Sequence, residues 1–163
     1  MRRRAYTLIE ILIVVVLMGI ASAMVVPSLG STDALRVQST VRVIVADITV
    51  AQSDALARQQ CRAMVFDVTN NKYSVVEVPG TVLDPVANTI NVVNLNNERK
   101  FHSSRIVSAV FDGGNVLYFD ELGGPVTQPG GTTPGNGGTI VVSGSGQVYT
   151  ITVEPYTGRV SVH

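Results

Sequence analysis

The chain opens with three arginines, Arg2 to Arg4, and then turns apolar. Between Glu10 and Asp33 it carries no charge, and from Ile11 through Val26 it consists of apolar or small residues, ending at Pro27. As a helix the stretch from Ile11 would rise roughly 24 Å at about 1.5 Å per residue. Starting at Tyr6 brings it to about 31 Å, the thickness of a hydrocarbon core. The pattern therefore predicts a transmembrane helix over 6–27. After Pro27 the spacing changes. Val37, Val41, Ile44, Val45, Ile48, Ala51 and Ala55 recur every three or four residues, while Arg36, Asp47, Asp54 and Arg58 fall largely elsewhere. That is one stripe of an amphipathic helix. Ser31, Thr32 or Asp33 would cap its start, and Asp54 and Arg58 would pair one turn apart.

Beyond Cys61 the period shortens to that of strands. Arg62 to Val68 and Tyr73 to Val78 are β-rich runs joined by Asn70-Asn71-Lys72, a hairpin turn. Further strands are expected at 89–95, 105–111, 116–119 and 139–142. A closing hairpin follows, Tyr149 to Val153 and Arg159 to Val162 around Glu154-Pro155-Tyr156-Thr157-Gly158. Gly123 to Gly138, with Pro125, Pro129 and Pro134 among its glycines, reads as a mobile surface loop. A long helix followed only by strands is an α+β arrangement, the amphipathic half of the helix packed on an antiparallel sheet.

Composition narrows the function classes. Twelve basic and twelve acidic residues cancel, so no global positive field points to nucleic acid. The single cysteine, Cys61, excludes an internal disulfide framework. Arginines before the apolar run, with no basic residue after it until Arg36, place the N-terminus in the cytoplasm and the rest outside. A secretory signal peptide cut after Ala21-Ser22-Ala23 fits the same composition. Glu10 at the entry to the run and apolar residues through Val26 count against it. A lone carboxylate near membrane depth costs about 2.5 to 3.5 kcal/mol at the centre and implies a role.

Ala5-Tyr6-Thr7-Leu8-Ile9-Glu10 followed by this run resembles the class III leader of type IV pilins and of type II secretion pseudopilins. The resemblance implies a prepilin peptidase cut between Ala5 and Tyr6, N-methylation of Tyr6, and Glu10 as the glutamate that meets the Tyr6 amine of a neighbouring subunit. It also places Pro27 at the kink of the family helix. Ala5 and Tyr6 depart from the usual glycine and phenylalanine. Val116-Leu117-Tyr118-Phe119-Asp120-Glu121-Leu122-Gly123 and Ile151 to Val160, with Thr157-Gly158-Arg159, look like late signatures of the minor pseudopilin H subunit and of FimT-type minor pilins. The stretch 79–104 matches nothing in that pattern. The resemblance implies the pilin-like fold, with a leader at 1–5, a transmembrane helix at 6–27 and a periplasmic domain at 28–163. It implies a non-enzymatic subunit without cofactor in a bacterial inner-membrane filament system. Its partners would be other pilins or pseudopilins through the N-terminal helix, the prepilin peptidase and the inner-membrane assembly platform. Two functions fit, a minor pseudopilin of type II secretion or a minor type IV pilin in pilus assembly or DNA uptake.

Other chemistry is sparse. His102 beside Ser103 and Ser104, and His163 at the chain end, do not form a triad by adjacency. Asp112-Gly113-Gly114-Asn115 and Asp120-Glu121 lack the spaced ligands of a calcium loop and suit turns. No glycine stretch has the Gly-Lys-Ser/Thr of a phosphate cradle. Cys61 is expected as a buried apolar cysteine. Arg99, Lys100 and Arg105 around Phe101 form the one basic cluster that single-stranded nucleic acid would use, though such a cluster is more commonly a solvated rim.

Overall fold

The structure, a computed structural model, describes residues 7–25, 31–97, 99–101 and 103–163. It divides into two compact units with the boundary after Thr32. In the first, helix α1 runs Leu8–Val25. Its side chains from Leu8 to Met18 are exposed around the whole circumference, and all but Glu10 are apolar, so the helix has no polar face of its own. At 18 residues it rises about 27 Å. No helix among the described residues is long and apolar enough to cross a membrane. Tyr6 and Pro27, the two ends of the expected span, lie outside the described residues, and so does the expected kink.

The second unit is built on helix α2, Ser31–Arg58. Six of the seven stripe residues are buried: Val37, Val41, Ile44, Ile48, Ala51 and Ala55. Val45 is half-buried at the margin. The helix ends without a glycine. Gln59 takes the left-handed conformation (φ 51°) and the Gln60 N–H donates to the Ala55 carbonyl at 3.1 Å, a Schellman closure.

Among the described residues nine strands follow: β1 (Arg62–Asp67), β2 (Lys72–Glu77), β3 (Thr89–Asn94), β4 (Arg105–Phe111), β5 (Val116–Phe119), β6 (Pro125–Val126), β7 (Gly138–Gly144), β8 (Gln147–Val153) and β9 (Val160–Val162). They form two antiparallel sheets where the sequence suggested one, ordered β3-β2-β1-β5-β6 and β4-β7-β8-β9. The chain changes sheet at Asp112-Gly113. Both residues have positive φ, and Phe111 and Gly114 exchange backbone hydrogen bonds of 2.9 and 2.8 Å. The inner faces of both sheets bury Phe66, Phe111, Phe119, Ile140 and Ile151 in one core with the α2 stripe. A smaller cluster of Cys61, Ala63, Val76 and Val78 packs on the other face of the first sheet, with Leu83 laid against it.

Residues 123–138 depart from the expected free loop. Pro125 and Val126 pair with Phe119 and Tyr118, Val126 bridges Pro134, and the Asn136 side chain donates to Asp112 Oδ1 at 2.7 Å. Glycine here serves close approach. At Gly137, which has φ 73°, a Cβ would collide with the Val153 carbonyl oxygen, so the composition that resembled flexibility is a packing requirement.

Candidate assembly site

Thr7 precedes α1 and caps it. The Glu10 N–H donates to Thr7 Oγ1 at 3.3 Å and to the Thr7 carbonyl at 3.1 Å. Thr7 and Glu10 thus have the spacing of a Thr-x-x-Glu capping box, with the Thr7 half of it formed. A carboxylate in the first turn also faces the positive end of the helix dipole. Glu10 is exposed and makes no ion pair among the described residues, so its charge is presented outward from an apolar cylinder. This local role was readable from the residue spacing and is separate from any contact with another subunit. Ala5 and Tyr6, the expected processing pair, lie outside the described residues.

The basic cluster is divided. Arg99 to Phe101 form one 3-10 turn, in which the Lys100 ammonium stands 4.7 Å from the Phe101 ring centroid. Phe101 is fully buried, so its ring is not available to stack a base, which removes the aromatic half of a single-strand platform. Arg105 opens β4 and is exposed. His102 lies outside the described residues. His163 sits beyond β9, exchanging backbone hydrogen bonds of 2.9 Å with Thr150. Asp120 accepts N–H bonds from Leu122 (3.0 Å) and Gly124 (2.7 Å), and Asp112 sits in the sheet-crossing turn. Among the described residues no group of acidic, histidine or cysteine side chains could hold a metal ion. Cys61 is buried as a free thiol.

Three features escaped the sequence reading. Arg62, at the start of β1, is fully buried. Its Nε lies 2.6 Å from Asp54 Oδ2, its Nη1 donates to the Cys61 carbonyl at 3.2 Å, and Glu77 stands 3.7 Å away. Arg58 pairs with the other Asp54 oxygen at 2.7 Å, as the i,i+4 spacing indicated. Gln52, in the last third of α2, donates to the carbonyls of Gly123 (2.7 Å) and Thr157 (2.9 Å), binding both late signature loops to the helix. Asn71, with φ 52°, donates to the Ser104 carbonyl at 2.9 Å and accepts the Ile106 N–H at 2.9 Å, tying the first hairpin to the second sheet.

Comparison with known proteins adds to this geometry. Residues 1–26 match the model of the prokaryotic N-terminal methylation motif. No curated protein sequence matches the chain. Among solved structures, the type IV minor pilin FimU of Pseudomonas aeruginosa superposes with a TM-score of 0.53 at 15% identity, over 78% of this chain and 87% of that one. The minor pseudopilin EpsH from the type 2 secretion system of Vibrio cholerae superposes with a TM-score of 0.50 at 10% identity, over 78% and 96%. The chain therefore has the α+β, pilin-like fold that these two structures share, joined to an N-terminus that carries the methylation motif.

Proposed function

We propose that this chain is a non-enzymatic filament subunit, a minor pseudopilin of a type II secretion system. The carrying observation is the joint occurrence, in one chain, of the methylation motif over residues 1–26 and a pilin-like fold. In this reading a prepilin peptidase cuts between Ala5 and Tyr6 and the new Tyr6 amine is methylated. The segment 6–27 spans the inner membrane with its N-terminus cytoplasmic. The domain 28–163 stands in the periplasm until an assembly platform extracts the subunit. Arg2 to Arg4 ahead of the apolar run support that orientation. The fold likeness to FimU supports a second reading, a minor type IV pilin. Both give α1 the same task, to lie among the corresponding helices of other subunits. Neither requires a cofactor.

Glu10 has the central part. In the filament its carboxylate neutralises the ammonium of Tyr6 on a neighbouring subunit, and Pro27 kinks the helix where it leaves the apolar core. Glu10→Gln separates this role from helix capping, because glutamine also serves at the third helical position of a capping box. The helix start and the membrane level of the protein should persist. Crosslinking to partner subunits should fall about a hundredfold or more, since breaking one side of a buried ion pair costs about 3 to 5 kcal/mol. A variant matching wild type in both membrane level and crosslinking would show that the carboxylate makes no assembly contact.

A further inference from the structure

The second unit is electrically lopsided along α2. Around the end where α2 begins, the described segments carry six basic residues, Arg36, Arg42, Lys72, Arg99, Lys100 and Arg105, against two acidic ones, Asp33 and Asp67, the last of them 3.6 Å from Lys72 on the hairpin that Asn71 ties to Ser104 and Ile106. Contacts bring these segments to one end of the fold. Thr40 Oγ1 donates to Ser104 Oγ at 2.9 Å, fixing the start of β4 against the second turn of the stripe. Arg105 pairs across the sheet with Ser143, and Ser143 with Val148, so the three share one row on the sheet's outer face. Arg42, Lys100 and Arg105 are exposed. So are two large apolar side chains at this end, Leu35 (63%) and Val148 (65%). The opposite ends of β4, β5 and β8 lead into turns bearing Asp112, Asp120, Glu121 and Glu154.

We propose that this basic rim docks on a bilayer surface rich in anionic phospholipid while the subunit is still membrane-anchored, a proposal that rests on the anchored reading above. Guanidinium groups match phosphodiester oxygens in charge and in planar donor geometry. Basic side chains flanked by exposed aliphatic ones are the composition of interfacial segments. The acidic turns at the other end are repelled by the same surface, which gives the domain one preferred orientation. Nucleic acid is the weaker occupant, because Phe101 is buried in the core and offers no stacking face.

The test uses the full chain, which has no tryptophan. Val148→Trp supplies a single emitter on the rim, and Leu35→Trp an independent one on α2. Each is reconstituted with vesicles of phosphatidylcholine alone, or with about one-third phosphatidylglycerol, containing brominated lipid as quencher. Flotation is measured on the same samples. The expected result is flotation with both vesicles and rim quenching about twofold or more stronger with the anionic ones. That excess should vanish at about 0.5 M salt and in Arg42→Gln/Arg105→Gln, and survive Asp112→Asn/Glu154→Gln. Flotation with equal quenching in both vesicles, or quenching indifferent to the double arginine variant, overturns the docking while leaving the anchor intact and assigns the rim to a protein partner. Failure to float with either vesicle overturns the anchored reading and the docking with it.

Discussion

The most demanding residue in the domain is Arg62, a guanidinium taken out of water at the junction of α2 and β1. Its neutralisation rests on Asp54, whose carboxyl is held below the usual carboxylate range, first by the hydrogen bond from Arg62 and then by that from Arg58. A carboxyl depressed in the folded state contributes stability above its unfolded pKa of about 4, and that contribution is lost as pH falls through the lower folded value. Asp67, held down by Asn70, and Asp84, held down by the Ala87 and Val86 N–H groups, add in the same direction. Asp54→Asn should leave the buried Arg62 charge short of its main partner. The expected loss is about 3 kcal/mol at pH 7, or about 10 °C in Tm for a unit of this size. The difference between variant and wild type should begin to shrink below about pH 4, where Asp54 of the unfolded wild type takes up its proton, and should disappear once pH has fallen past the lower folded value. An unchanged Tm at pH 7 would show that Glu77, 3.7 Å from Arg62, suffices alone. The i,i+4 pair of Asp54 and Arg58 was legible in the sequence. Arg62 was not, because nothing in a strand's first residue announces that a helix eight positions earlier will deliver its counter-ion.

Helices and strands were legible where periodicity was strong. The α2 stripe came out buried at six of seven places, and β4 and β5 fell on the expected residues, since apolar spacing is the quantity that burial acts on. The ends of elements were less legible. Gln59 closes α2 in a conformation that favours glycine, and only the downstream chain geometry makes it do so. The misreading of 123–138 came from equating glycine with freedom, when Gly137 and its neighbours are there because backbones meet too closely for a side chain. Gly144, at the end of β7, makes the same point testable. A Cβ there would stand inside contact distance of the Ser103 carbonyl oxygen and 2.8 Å from Val37 Cγ2. Backbone on one side and a fully buried valine on the other leave little room to yield. Gly144→Ala should therefore destabilise the domain by about 3 kcal/mol, the upper end of ordinary overpacking, read as a lower denaturation midpoint with an unchanged slope. An unaffected midpoint would mean that the β7–β8 hairpin can lift from α2 at no cost.

For the whole molecule, the order of one long helical region and then strands specified the fold class, while the partition into two sheets stayed hidden. Neighbouring strands usually pair, and β4 and β5 are joined by only the four residues 112–115, yet they part into different sheets after the single bridge between Phe111 and Gly114. That choice is made by distant partners, Gly138 to Ser143 for β4 and Met64 and its neighbours for β5, and no local pattern records it. The N-terminal methylation motif was legible for the opposite reason. It lies in short contiguous sequence, residues 1–26, and needs no distant partner to be read. The account stands or falls on how that end is processed. The direct measurement is the intact mass and N-terminal sequence of the chain recovered from membranes of cells containing a prepilin peptidase. The filament-subunit account predicts a chain lacking Met1 to Ala5 and beginning at N-methylated Tyr6. An unmethylated chain beginning at Met24, cut after Ala21-Ser22-Ala23, would contradict it.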